Sequence, residues 1–437
     1  MDRAPVTGRA GADVAASRRF GATTTALVVA AAGVAGWCEP PTGTAVAATF
    51  WVSWAACLFV LVRGHPRGLF RPAAAYLVVF GLFHGGLLLA VVVRGEHDLG
   101  FEDTVWLGDP LMPRAVSLAV LGMAAFTLAA VLASPGPGVA PPDEGPGGVL
   151  LGPLGVAVQV AGLGLFATAV LRAGGEDLLS GGYVAFVEAG ATDPWLAVGT
   201  LCAGVGAVLA VAAGGPSRVA GWCCFAVYAL MALPLGTRGE VLFPLLAMTV
   251  VEASRVRVRP MWTVGGAALT LVLSGLVRKT RTEGEAVLDA LALPLDAVAE
   301  LGFSLRPTVV VLGWDEPGRG GATLVAVPLR VVESLTGWHG GPPAHDTRLF
   351  NVEIADRVGQ IGGSPVAEAY HNFGIVGVAL FLGVAGAVLG RLERCSGVVL
   401  GVVLLPVLIQ VRNSFAPVPA QIAFGLLLVG IARAGAR

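Results

Sequence analysis

Charge is what this sequence has least of. Only 13% of its 437 residues are Asp, Glu, Lys or Arg, against 55% hydrophobic, and its mean hydropathy is +0.79. Soluble domains carry about 25% charged residues, so a soluble globular protein is excluded, and an intrinsically disordered chain with it. A net charge of -1 denies the chain the basic surface that nucleic-acid binding needs. Lysine is almost missing: Lys279 is the single one among 28 basic residues. That arginine bias, with the Ala, Gly and Val richness, points to a GC-rich bacterial genome. Cysteine is sparse and scattered. Cys57, Cys202, Cys223 and Cys224 fall inside apolar runs, where a thiol behaves as a small hydrophobe. No Cys or His spacing matches a zinc site, and neither metal nor cofactor is expected. Ionisable groups are also rare inside the apolar runs, where His84 alone lies away from the ends. Ion-coupled carriers keep such groups at mid-membrane, so their scarcity counts against a pump.

What is present is long apolar runs. A spanning helix needs about 20 such residues, and twelve segments qualify: 20–37, 45–62, 72–93, 115–133, 149–171, 195–213, 219–235, 236–252, 261–277, 373–389, 397–411 and 417–431. The expected fold is an all-α polytopic membrane protein forming one integral domain over 1–437. Nine spans (20–277) precede a large loop (278–372), and three spans (373–431) follow it. The run 20–37 follows Arg18-Arg19 like a signal peptide, but it reads as a retained helix because spans continue after it and no small-residue cleavage pattern stands out. Sidedness follows the arginines of the short loops. With the N-terminus inside, one side holds Arg18, Arg19, Arg63, Arg67, Arg71, Arg218, Arg255, Arg257, Arg259, Arg391, Arg394 and Arg433. The acids gather on the other. Both termini are then cytoplasmic, in a bacterial plasma membrane.

The long outer segment has structure of its own. Glu285, Asp289, Asp296 and Glu300 recur on one face of a helix whose other face carries Val287, Leu288, Leu291, Leu295, Val298 and Leu301. This pattern predicts an amphipathic helix at the membrane surface, bent near Pro294. A second apolar stretch, 322–337, is too polar at Arg330 and Glu333 to span. Trp106, Trp314 and Trp338 read as interface anchors. The Pro/Gly-rich 134–148 is an inner linker.

Four clusters fall on the outer side: Gly236-Thr-Arg-Gly-Glu240; Glu300-Leu-Gly-Phe-Ser-Leu-Arg306-Pro307; Gly362-Gly-Ser-Pro-Val-Ala-Glu368-Ala-Tyr-His-Asn-Phe-Gly-Ile-Val-Gly377; and Arg412-Asn-Ser-Phe415. Arginines placed against the charge trend suit a phosphate ligand, which guanidinium grips bidentately. The plain reading of each is a headgroup anchor. Glu368 also reads as a first-turn helix acid. For general base chemistry Glu368 comes first and His371 second, with Glu240 and Glu300 as further candidates.

Together these clusters resemble the oligosaccharide repeat unit polymerases of the Wzy type. The matching elements are the Gly236-Thr237-Arg238 turn, the Glu300…Gly302…Arg306-Pro307 segment, the Glu368-x-Tyr370-x-Asn372-Phe373-Gly374-x-x-Gly377 element and the Arg412-x-x-Phe415 turn. The likeness covers roughly 230–430. It implies a GT-C-like fold and the joining of undecaprenyl-diphosphate-linked repeat units on the outer face of the plasma membrane, with no nucleotide sugar. It implies diphosphate binding by Arg238, Arg306 and Arg412, helped by Arg278, Lys279 and Arg281, with Tyr370 and Asn372 in support. The partners it implies are the lipid-linked oligosaccharide, membrane lipid, a flippase and a chain-length regulator. His371 is outside the family pattern. A lipid-linked glycan ligase and a glycan flippase or exporter stand as alternatives.

Overall fold

The computed structural model describes residues 7–63, 65, 67–94, 104–135, 148–174, 193–256, 261, 265–266, 292–314, 318–336 and 346–435. Among them the fold is helical. In chain order the helices are α1 (Thr7–Cys38), α2 (Thr44–Val62), α3 (Pro72–Arg94), α4 (Met112–Ala133), α5 (Gly148–Arg172), α6 (Pro194–Ala213), α7 (Gly215–Ala232) and α8 (Arg238–Ala253). They continue with α9 (Ala292–Leu301), α10 (Arg306–Leu312), α11 (Ala322–Thr336), α12 (Phe350–Val358), α13 (Pro365–Leu392), α14 (Gly397–Ile409) and α15 (Val418–Ala434).

Helices α1 to α7 and α13 contain stretches long and apolar enough to cross a membrane, and the chain is a polytopic membrane protein. These eight coincide with eight of the twelve expected segments. Three others, 236–252, 397–411 and 417–431, form α8, α14 and α15, of 16, 13 and 17 residues. They are shorter because their ends unwind into turns at Gly236-Thr237 and Gln410–Pro417. The segment 261–277 lies outside the described residues except at 261, 265 and 266.

Two elements differ from the hydropathy reading. The helix expected at 373 begins at Pro365, because Ser364 caps it by accepting from the Val366 and Ala367 amides and Pro365 occupies the first helical position. The amphipathic helix expected over 285–301 is described only as α9, and Glu285 and Asp289 lie outside the described residues. Of its apolar side Leu301 is buried and Leu295 and Val298 are half-buried, and Ala297 and Ala299 beside it are buried too. Gly86 of α3 and Gly302 leave no space for a side chain where the two segments meet. The second stretch is α11, which exposes Val325, Leu329 and Val332 along one side. Its Arg330 and Glu333 pair with Asp346 and Arg348 on the other, so the helix is amphipathic.

Helices α3 and α13 run antiparallel. The start of α3 meets the end of α13, where buried Arg71 binds Glu393, the Ser134 hydroxyl and the Leu61 carbonyl, the last at 3.0 Å. His65 approaches the same carboxylate at 3.4 Å. Higher up α3, Nε2 of His84 lies 3.0 Å from the Ser364 hydroxyl, while Nδ1 faces the Phe80 carbonyl at 3.2 Å. Nδ1–H therefore donates to Phe80 and Nε2 accepts from Ser364. The isolated histidine of the apolar runs is thus a tether for the cap of α13. Helix α3 continues past it to Arg94, roughly 15 Å further, so the start of α13 is sunk below the end of α3.

Candidate active site

The four sequence clusters meet at this sunken end. Arg238 opens α8 and is buried. Its guanidinium forms an ion pair with Glu300, which α9 presents. Arg412 lies in the turn between α14 and α15, and its Nη1 would stand 3.4 Å from a Cβ built on Gly239. Arg238 and Arg412 therefore flank the first turn of α8. The Arg412 carbonyl accepts from the Gly363 amide at 2.9 Å. A Cβ at Gly363 would fall 2.7 Å from the Asn413 carbonyl carbon, so only glycine lets the two loops touch. Arg306 heads α10, directly after the short 3-10 turn Gly302–Leu305, and is half-buried.

Glu368 lies in the first turn of α13 and is 0% exposed. One carboxyl oxygen accepts from the Phe415 amide at 2.7 Å, and the other accepts from the Thr323 hydroxyl at 3.0 Å. The Glu368 side chain thus ties α13 to the Arg412 turn and to α11. Asn372, one turn on, donates to Thr323 Oγ1 at 2.7 Å and to the Glu368 carbonyl at 2.8 Å.

The helix then breaks at Gly374, whose φ of 64° and ψ of -152° lie outside helical space. The break frees the carbonyls of His371 and Asn372, which accept from the Arg319 and Gly320 amides, each at 2.9 Å. A Cβ at Gly377 would meet the Ala369 carbonyl oxygen at 2.4 Å. Both glycines of the Asn372-Phe373-Gly374-x-x-Gly377 element therefore serve the bend.

His371 is buried, and its Nε2 stands 3.1 Å from Glu353. Glu353 also binds Arg319 and, at 2.8 Å, Arg357. Tyr370 is half-buried, its ring 5.9 Å from that of Trp37. Two expected interface anchors are packed instead. Trp314 lies under Arg357 and edge-on to His371, and Trp106 is buried near Phe303. Trp338, Arg278, Lys279 and Arg281 lie outside the described residues.

The residues that sequence reasoning missed are Thr323, Arg319 and Glu353. For Glu353 a signal existed in Phe350–Val358, which is amphipathic with a Glu353–Arg357 pair at i,i+4. Nothing local marks Thr323.

Fold and site together define a polytopic membrane protein with paired arginines and carboxylates gathered at one end of a helical bundle. The family model described as O-antigen polysaccharide polymerase Wzy matches residues 200–432. That is more than half of the chain, which belongs to this family and polymerises lipid-linked O-antigen repeat units in the membrane. The match includes every site element above from Arg238 to Phe415. No curated relative and no solved structure matches the chain.

Proposed function

We propose that the chain transfers a growing glycan from a polyprenyl diphosphate, undecaprenyl diphosphate in a bacterial plasma membrane, onto the next lipid-linked repeat unit. The site end faces outward and both termini face the cytoplasm. The twelve-span reading and a GT-C-like arrangement belong to this proposal. Displacing the diphosphate from the anomeric carbon builds negative charge on the leaving group. Arg412 and Arg238 on either side of the α8 turn, with Arg306 at the head of α10, would stabilise that charge electrostatically. The sequence adds Arg278, Lys279 and Arg281 as further diphosphate contacts.

Both oxygens of Glu368 are engaged and His371 is held by Glu353. In this arrangement they set the shape of the site, with Asn372 and Tyr370 beside them. The observation that carries the reading is convergence. The Gly363 amide and Glu368 hold the Arg412 turn, and Arg412 lies over the turn headed by Arg238.

The test is deletion of the gene in its source organism and complementation with wild type, Arg238→Ala or Arg412→Ala at matched protein level. Single repeat units on lipid, extended to long glycan by wild type but not by either variant, are expected. Long polymer stranded on the carrier in the deletion strain would indicate a ligase. Unchanged glycan, or rescue by both variants, would refute the proposal.

A further inference from the structure

A cavity of about 280 Å³ opens beside the first turn of α8, between α6, α8, α14 and α15. Its walls are largely apolar, with Phe243 and Pro244 on one side and Leu405 on the other, and Ala197 of α6 also lines it. Four polar side chains break this surface, Thr200, Glu240, Asn413 and Gln421, and two of them carry acceptors that the described residues leave unpaired. Glu240, two residues after Arg238, and Gln421, in the first turn of α15, both line the cavity. Glu240 Oε2 and Gln421 Oε1 are buried and have no hydrogen-bond partner among the described residues. Buried acceptors without donors cost free energy, and native structures seldom keep them without a reason.

The chemistry of the orphans decides among the three parts of a lipid-linked glycan. An isoprenoid chain offers no donor. A diphosphate offers only further acceptors and negative charge, which Glu240 would repel. A sugar ring offers hydroxyl donors on its edges and an apolar C–H face for Phe243 and Leu405. The volume is near the lower end for ligand pockets, about 300 Å³, which suits a single ring.

Resting on the polymerase reading above, we infer that this cavity receives the terminal sugar of the acceptor and that Glu240 is the general base of the transfer. Position supports the role. The anomeric carbon under attack is bonded to the diphosphate, so the acceptor hydroxyl must come close to the arginines. Glu240 shares its helical turn with Arg238 and with Gly239, over which Arg412 lies. In the step, Glu240 Oε2 takes the proton of the acceptor hydroxyl and that oxygen forms a bond to the anomeric carbon. The bond from this carbon to the diphosphate oxygen breaks, and its electron pair leaves on the diphosphate toward Arg412 and Arg238. Gln421 Oε1 accepts from a second hydroxyl and orients the ring.

The test uses the deletion strain and the purified full chain in detergent, with lipid-linked single repeats extracted from that strain as substrate. Wild type must first restore long glycan; if it does not, the polymerase reading itself fails. With wild type active, Glu240→Gln is expected to slow polymerisation by about 100-fold or more, the usual worth of a general base, at an unchanged melting temperature. Because Oε2 has no partner among the described residues, that isosteric change leaves their folding contacts in place. Ala197→Trp, at an exposed position, is expected to raise the KM for single repeats while kcat stays near wild type. Saturation-transfer NMR with the repeat oligosaccharide, released by mild acid, should lose its signal in that variant. Wild-type rates for Glu240→Gln, or wild-type KM and NMR signal for Ala197→Trp, would overturn the inference.

Discussion

Replacement of Glu368 separates a brace from a base. In the structure both of its carboxyl oxygens accept, from the Phe415 amide and the Thr323 hydroxyl, in a site with no exposure. Alanine leaves a buried N–H and a buried O–H without their acceptor. Each unsatisfied group costs about 1–3 kcal/mol, so Glu368→Ala should lose roughly 2–6 kcal/mol and several degrees of melting temperature in detergent. The Arg412 turn loosens with it, and polymer should be lost. Glutamine keeps the volume. Its carbonyl oxygen still accepts from Phe415, and its amide can donate to Thr323 Oγ1, so that only the Thr323 O–H loses its acceptor. Removing charge from a buried position also offsets part of the lost interaction. Glu368→Gln should therefore lose no more than about 1–2 kcal/mol, clearly less than alanine, and retain most long glycan. The assay is thermal melting of the purified variants together with the lipid-linked glycan profile of complemented cells. Loss of all polymer in Glu368→Gln at an unaltered melting temperature would refute the brace and place this carboxyl on the substrate.

Three further outcomes follow from the same geometry. Gly374→Ala meets no neighbouring atom within 4 Å, so its cost is that of the backbone alone at φ 64°. We expect about 1–3 kcal/mol of destabilisation and shortened glycan; unchanged melting and glycan would show that the bend is dispensable. Arg238→Lys keeps the charge facing Glu300 but loses the fork that grips a diphosphate. Polymerisation should fall at least about tenfold, and a wild-type rate would remove Arg238 from phosphate binding. Hydrogen bonding from Arg348 holds the Asp346 carboxyl below its ordinary value. Its contribution to holding α11 is therefore complete above about pH 4, the unfolded Asp range, and is lost as the pH falls through the lower folded value. Pepsin cleavage near residues 346–349 should rise in that acid window, and Arg348→Met should show it already at about pH 5; identical profiles would refute the link.

The legible part of this molecule is what periodicity and composition encode locally. Among the described residues, eight helices long and apolar enough to cross a membrane follow from uninterrupted apolar length, and Arg71, Ser134 and Glu393 meet at one end of the bundle while Arg238, Glu300, Glu368 and Arg412 meet at the other. The start of α13 was misplaced because hydropathy begins at Phe373, whereas the cap at Ser364 depends on His84, 280 positions away in sequence. The role of Glu368 was hidden for a similar reason. One partner is a backbone amide, which has no residue identity to read, and the other is Thr323, one threonine among many. A carboxylate next to a Tyr-His-Asn run suggests a base, and the structure adds what its neighbours do not show, that both of its oxygens tie α13 to the Arg412 turn and to α11. Glu240 reads the opposite way. At a helix start it resembles an ordinary dipole-favoured acid, and only the packing of α6, α14 and α15 around it shows an oxygen with no donor among the described residues and a space in front of it. Local pattern thus located the arginines, whose charge had to be explained wherever they stood. In the reading proposed above, the carboxylates are told apart by which of them the fold already satisfies.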